Sequence, residues 1–290
     1  MTECIRVATR GSDQARAQAT TIADALSASG VACELVIVDT HGDRTQSAQV
    51  PLHTIGGQGV FTKEIQAAVL DGRADVAAHS AKDLPTATPD GLMIGAFGVR
   101  RDPRDALIGR SLDALAHGAT VASGSVRRRS QLHAVRPDLH FIELRGNIPT
   151  RLERIPDDGA IVMAVAALEI LGRTDEIAEI LDPTVFVPAV GQGCVAVECR
   201  SDDAATIAAL AAIDDANARS AVMVERAYLG QLGSGCSSPV AAYATAGELH
   251  VFLDGPLGTH REVITLTGDL DHDMGLAAAA AERARVAAGV

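Results

Sequence analysis

Basic and hydroxyl residues gather in four short stretches: "TRGS" (9–12), "HSAKD" (79–83), "SGSVRR" (123–128) and "LRGN" (144–147). Such side chains grip carboxylates and phosphates through charge-assisted hydrogen bonds. Ser125 stands where a helix N-cap belongs. Arg127 and Arg128 then fall in the first turn of that helix, the wrong end for cations in the field of a helix dipole. Their placement implies a nearby anion; on the plainer reading Ser125 is a cap and nothing more. Arg145 and Arg151 are separated by "GNIPT", one at a strand end and the other on the next helix. Together they can hold carboxylates bidentately, although Arg151 alone also reads as a solvated surface residue. Asp83 follows Lys82 in a polar turn before Pro85. A carboxylate fixed there can protonate a leaving amine or stabilise a passing cation; it can also simply shape the turn. His79, inside an apolar run, reads as structural.

One cysteine has nothing to pack against. Cys4, Cys33, Cys194 and Cys199 lie in or beside apolar runs and read as small buried hydrophobes. Cys236 sits in "GSGCSSPV" (233–240), among glycines and serines. A thiol so placed is accessible to react. The five cysteines match no common zinc spacing, so no metal site is expected.

Composition narrows the partners. A net charge of −12 disfavours nucleic acid, which draws on a broad basic surface, and 2% aromatic residues leave little for base stacking. Yet "VRRRSQL" and "ELRGNIPTRLER" are dense in arginine. A basic cluster inside an acidic chain suits a compact anionic small molecule in a cleft. No apolar run reaches the roughly 18 residues of a membrane span. "MTECIRVATRG" lacks a basic region followed by a long apolar one, so a cytoplasmic protein without a secretory signal is expected. A monomer is expected as well.

The elements that must position these residues alternate. "CIRVAT", "CELVIV", "ADVAAHS" and "LMIGAF" read as strands, with helices at 12–28 and 60–70. After "RRDPRD" the pattern restarts with "ATVAS", "HFIEL" and "GAIVMAV", interleaved with the helices "VRRRSQLHAV", "IPTRLERI" and "AALEIL". "CVAVEC" is a further strand, followed by helices near 203–213 and 215–232. Three strands, "PVAAYA", "ELHVFL" and "REVITLTG", and an Ala-rich helix close the chain. The fold class expected is α/β: two doubly wound, mainly parallel domains plus a small α+β C-terminal domain. The expected boundaries are 1–98 with 190–214, then 99–189, then 215–290. Each of the four polar stretches follows a strand and opens toward a helix, where open α/β sheets bind ligands. "GGQGVF" (56–61) fits neither dinucleotide nor P-loop spacing and reads as a lid loop; "AVGQG" (189–193) reads as a tight interdomain turn.

Two functions of different class fit: an enzyme that uses Cys236 covalently, or a non-catalytic solute-binding module for polycarboxylates. The second gives Cys236 no task.

The order of "TRGS", "GGQGVFTKE", "AAHSAKDLPT", "RDPRDAL", "SVRRRSQL", "LRGNIPTRL", "VPAVGQGCVAVECR" and "GSGCSSPV" along the chain resembles the porphobilinogen deaminase (hydroxymethylbilane synthase) family. The resemblance implies two hinged domains like type II periplasmic binding proteins and a third, smaller one. It implies a transferase that joins four porphobilinogen molecules head to tail and releases ammonia each time. The growing chain hangs from a dipyrromethane cofactor, held by a thioether to Cys236. By the same resemblance Asp83 is catalytic. Lys82, Asp83, Ser125, Arg127, Arg128 and Arg145 bind the cofactor, and Arg10, Ser12, Arg145 and Arg151 bind substrate. This chain departs from the family at Thr54 and Gln58, where lysine is usual, at Ile170, where arginine is usual, and at Gln14, where leucine is usual. A paralogue drifted from the activity is the reading those departures leave open.

Overall fold

The computed structural model describes residues 4–40, 62–233 and 239–290. They fall into two compact units, Met1–Arg101 with Cys194–Arg219, and Asp102–Gly193 with Ser220–Val290.

The first unit is built on a five-stranded sheet. Its strands are β1 (Ile5–Thr9), β2 (Cys33–Ile37), β3 (Val76–Ser80), β4 (Leu92–Phe97) and β10 (Val195–Arg200), in the order β2-β1-β3-β10-β4. Successive residues on a strand face opposite ways, and here both faces are apolar. Val7, Val76 and Ala78 meet helix α1 (Asp13–Ala28) through Ala19, Ile22 and Leu26, spaced along one helical stripe. Ala8 and Ala77 meet helix α2 (Lys63–Leu70) through Ile65, Ala68 and Val69. Covered on both sides, these strands read as continuous apolar runs. Strand β10 runs antiparallel to both β3 and β4, while β1 pairs in parallel with β2 and β3. The sheet is therefore mainly parallel with one strand reversed.

The second unit repeats the plan. Strands β5 (Asp105–Ile108), β6 (Thr120–Ala122), β7 (His140–Ile142), β8 (Ala160–Ala164) and β9 (Ile177–Ile180) take the order β7-β6-β8-β5-β9. Strand β5 is the reversed one, antiparallel to β8 and β9. Helices α3 (Val126–Val135), α4 (Ile148–Leu152) and α5 (Val165–Glu169) connect these strands. Strands β5 and β9 are additions to the sequence reading. Each has four residues, too few to show an alternation, and β5 begins on the last residue of the charged "RRDPRD".

Helix α6 (Ala204–Ala211) packs Leu210 into the first unit, and helix α7 (Ala216–Leu232) follows. The C-terminal part is an antiparallel sheet, β11 (Val240–Ala244), β12 (Glu248–Gly255) and β13 (Gly258–Thr265). Its apolar face packs on α7 and on helix α8 (Leu270–Ala288), which buries Ala277, Ala280, Ala281, Ala284 and Ala288. Alanine there lets helix and sheet approach closely. Gly289 ends α8 at φ +72°, a conformation glycine adopts without strain.

Candidate active site

In the first unit the ends of β1 and β3 meet over one pocket. Among its lining residues are Arg10, Ser12, Gln18, His79, Ser80 and Asp83. Sequence dictates each position. Ser12 leaves β1 extended and caps α1, its Oγ accepting from the Ala15 amide at 3.3 Å. That leaves Arg10 on the loop between strand and helix. At the end of β3 the chain makes a 3-10 turn, Ala81–Asp83. The turn is tied to β10 where the Ala81 amide donates to the Cys194 carbonyl at 2.9 Å. Asp83 closes it half-buried, before Leu84 turns extended ahead of Pro85. Gln18 reaches across from α1 and donates to Ser80 Oγ at 2.8 Å. Lys82 lies in the same turn, off the pocket lining and half-buried.

In the second unit the basic residues surround a carboxylate. Asp105, at the start of β5, is 1% exposed. Arg127 Nη2 lies 2.8 Å from its Oδ2, and Arg128 Nη2 and Nε donate to its Oδ1 at 2.8 and 3.1 Å. Gln192, from the turn at 189–193, donates to the same Oδ1 at 2.9 Å. The guanidiniums are further held by carbonyls: Arg127 Nη1 donates to Val187 at 2.7 Å, and Arg128 Nη1 to Val162 at 2.9 Å. The anion that offsets two cations in the first turn of α3 is thus, in the structure, Asp105. Two guanidiniums against one carboxylate still leave a net positive charge, beside the free amides of a helix start. Ser125 caps that helix, its Oγ accepting from the Arg128 amide at 3.5 Å.

Burial alone would raise the Asp105 carboxyl, but the charges of Arg127 and Arg128 outweigh it and hold the group well below the usual carboxylate range. Burial pushes the Arg127 guanidinium down, from a value so high that it stays charged. Asp105→Ala would leave one buried and one half-buried guanidinium without their shared counter-charge. We expect a loss of about 3–5 kcal/mol, as for other broken buried pairs, read as a lower urea midpoint. An unchanged midpoint would refute the role. Because the folded carboxyl titrates below its unfolded value of about 3.9, its stabilisation is complete above that pH and fades as pH falls below it. The variant should therefore lose less stability on acidification than the parent.

Arg145 lies within the β7–α4 loop, past the strand end where the sequence placed it, and Arg151 stands on α4. Arg145 Nε lies 3.8 Å from Glu143 Oε1, and Arg151 Nε donates to the Gly146 carbonyl at 2.7 Å. Gly146 has φ +121°, and Asn147 caps α4 by accepting from the Thr150 amide at 3.1 Å. Arg129 of α3 pairs with the same Glu143, its Nη2 lying 2.7 Å from Oε2. Cys236, Thr54, Gln58 and the "GGQGVF" stretch lie outside the described residues.

The structure thus gathers Arg10, Ser12 and Asp83 around one pocket, and Ser125, Arg127 and Arg128 around one buried acid. Sequence reasoning missed Asp105, although it is the last residue of "RRDPRD". It also missed Gln18, which carries no sequence signal beyond its helix, and did not single out Ser80 within "HSAKD". This donor set, rich in guanidinium and hydroxyl groups, fits a ligand with several carboxylates.

Two family descriptions match the chain: "Porphobilinogen deaminase, dipyromethane cofactor binding domain" over residues 5–208, and "Porphobilinogen deaminase, C-terminal domain" over residues 220–284. The chain belongs to the porphobilinogen deaminase family. A porphobilinogen deaminase of Acidothermus cellulolyticus is 46% identical over 286 residues, covering 93% of this chain and 86% of that one. Those of Mycobacterium marinum and Brevibacillus brevis are 47% and 44% identical, over 84% and 88% of this chain and 78% and 84% of their own lengths. Among solved structures, the methionine binding protein MetQ shares 14% identity over 75% of this chain and 92% of that chain, with a TM-score of 0.45. As a porphobilinogen deaminase family member the chain is an enzyme, a transferase of tetrapyrrole biosynthesis, and residues 5–208 form the family's dipyrromethane-binding part.

Proposed function

We propose that this chain joins four porphobilinogen molecules head to tail into hydroxymethylbilane, releasing one ammonia for each, on a dipyrromethane held by a thioether to Cys236. The observation that carries this reading is the pocket that sets the Asp83 carboxylate beside Arg10 and Ser12. When bound, the dipyrromethane supplies the pyrrole carbon to which the first substrate is joined.

The chain's own residues then have distinct tasks. Each pyrrole brings an acetate and a propionate. Arg10 and Ser12 in the first unit, and Arg145 and Arg151 in the second, hold them by charge-assisted hydrogen bonds. Lys82, Ser125, Arg127, Arg128 and Arg145 hold the carboxylates of the cofactor. Asp105 keeps the guanidiniums of Arg127 and Arg128 in place before any ligand arrives, so that little reorganisation is needed on binding. Asp83 faces the pyrrole nitrogen. Its carboxylate stabilises the positive charge that develops there as the amine leaves, and among the described residues no other acid lines that pocket.

The three-domain division belongs to the same proposal: 1–98 with 190–214 carrying Asp83, 99–189 carrying the arginines, and 215–290 carrying Cys236. So does a monomer working in the cytoplasm without nucleic acid or membrane. Among the described residues no helix is long and apolar enough to cross a membrane, and the net charge of −12 opposes nucleic-acid binding.

The test is turnover. Purified protein given porphobilinogen should release one ammonia per molecule consumed and form one tetrapyrrole for every four. Tight binding with no ammonia released would leave a polycarboxylate-binding module instead.

A further inference from the structure

Arg129 is the third arginine of "VRRRSQL", and the proposed chemistry gives it no task. It stands about one turn into α3, half-buried. Its guanidinium faces the ends of two strands at once. Nε donates to the Ser123 carbonyl, and Nη2 donates to the Ile142 carbonyl at 3.1 Å and to Glu143 Oε2 at 2.7 Å. The register explains the meeting: β6 and β7 pair in parallel with Ala122 opposite Ile142, so Ser123 and Glu143 leave their strands side by side. A planar guanidinium fork can serve all of these acceptors, which a lysine ammonium on its flexible stem does not match.

Glu143 sits between two cations. Its Oε2 takes the close hydrogen bond from Arg129, whereas its Oε1 lies 3.8 Å from Arg145 Nε, beyond hydrogen-bond reach. Gly124 makes room for this arrangement. A Cβ there would stand 2.9 Å from Glu143 Oε1 and 2.9 Å from the Leu144 carbonyl, so a larger residue would push the carboxylate away. Among the described residues, Arg129 and Arg145 are the cations within ion-pair distance of Glu143. Without Arg129, Arg145 is its remaining partner. A carboxylate two residues from a guanidinium is present at high effective concentration. It would then compete with any ligand carboxylate for Arg145.

We infer that Arg129 is a positioning residue that holds Glu143 off Arg145, so that Arg145 receives a carboxylate of the pyrrole ligand and not one of the chain's own. The ligand class rests on the deaminase reading; the division of Glu143 between two arginines does not. With Arg129 gone, Glu143 turns to Arg145, and apparent affinity falls by the fraction of molecules in which that pair is open. The pair is partly exposed, so the fall should be about fivefold. Arg145 grips a side-chain carboxylate in substrate and transition state alike. The effect should therefore appear in KM and leave kcat nearly unchanged.

The experiment is a double-mutant cycle on the holoenzyme: parent, Arg129→Leu, Glu143→Gln and the two together. We expect KM for porphobilinogen to rise about fivefold in Arg129→Leu. It should stay at or below the parental value in Glu143→Gln, and the double variant should match Glu143→Gln. Net charge alone predicts otherwise, because losing the Arg129 cation would then raise KM by the same factor whether or not Glu143 is present. A merely structural role for Arg129 predicts the same equality. A second readout does not need turnover. In 15N-arginine-labelled protein the Arg145 Nε–H signal, assigned by its loss in Arg145→Lys, should move in Arg129→Leu and return toward the parental position in the double variant. An unchanged KM in folded Arg129→Leu, an equal rise with and without Glu143, a raised KM in Glu143→Gln, or an unmoved Arg145 signal would each overturn the inference. If Arg129→Leu does not fold, Arg129→Gln replaces it in the cycle, keeping amide donors for the carbonyls of Ser123 and Ile142 while removing the charge. A parent enzyme that leaves porphobilinogen unconsumed would instead refute the function, with the Arg145 signal still deciding whether Arg129 holds Glu143 away.

Discussion

The Cys236→Ser variant should lose the bound dipyrromethane and all turnover together, and should melt lower than the parent. The other four cysteines cannot replace it. Cys194 and Cys199 are buried, and Cys4 and Cys33 are half-buried. Burial pushes the Cys199 thiol up to about 11 and raises that of Cys33 as well. A thiol so shifted is scarcely ionised at neutral pH and makes a poor nucleophile. Cys236 alone stands in a Gly/Ser stretch, between the end of α7 and the start of β11. Its serine replacement changes one atom and should leave the fold intact. Two attached pyrroles bring four carboxylates to the arginine clusters. A group bound only by the native state adds stability by linkage, so its loss should show as a lower Tm. Intact mass should exceed the sequence mass by two pyrrole units in the parent, with peptide mapping placing them on Cys236, and should equal it in the variant. Cys4→Ser should keep adduct and activity. A parent protein of unmodified mass after incubation with porphobilinogen, or an active Cys236→Ser, would refute the attachment.

Much of this was legible because local rules and tertiary demands agree. Helix α3 starts at the expected cap and spans "VRRRSQLHAV", as its spacing predicts. The four polar stretches do follow strands, since only there can a side chain leave a doubly covered sheet for solvent. Other features were hidden because they depend on partners distant in sequence. The misplaced cations of α3 did point to an anion, but sequence could not distinguish a ligand from Asp105, more than twenty residues upstream. Strands β5 and β9 are four-residue elements whose pairing is fixed by neighbours from elsewhere in the chain. His79 reads as structural because its strand is apolar. Its proximity to Glu198, 3.2 Å away across a reversed strand, appears only once β10 is inserted beside β3.

Asp83→Ala should fold like the parent and lose nearly all turnover. The residue is half-buried at the end of a 3-10 turn, and that turn is held by backbone bonds, Ala81 to Cys194 and Leu84 to Ala81, which the substitution leaves in place. Stability should therefore change little, by about 1 kcal/mol or less. Catalysis is a different matter. Arg10 beside the pocket repels a positive charge developing on the pyrrole, and Asp83 is the acid positioned to offset it. Its neighbours Gln18 and Ser80 satisfy each other, so neither is poised to take its place. A preorganised group acting on transition-state charge supplies roughly 3–4 kcal/mol, or 10²–10³ in kcat. Because that charge is absent from the bound substrate, kcat should fall while KM moves little. Asp83→Asn sharpens the test: it keeps shape and hydrogen bonding but removes the charge, and should be nearly as slow as alanine. An asparagine variant at parental rate would show that Asp83 shapes the turn and does not act on the reacting pyrrole.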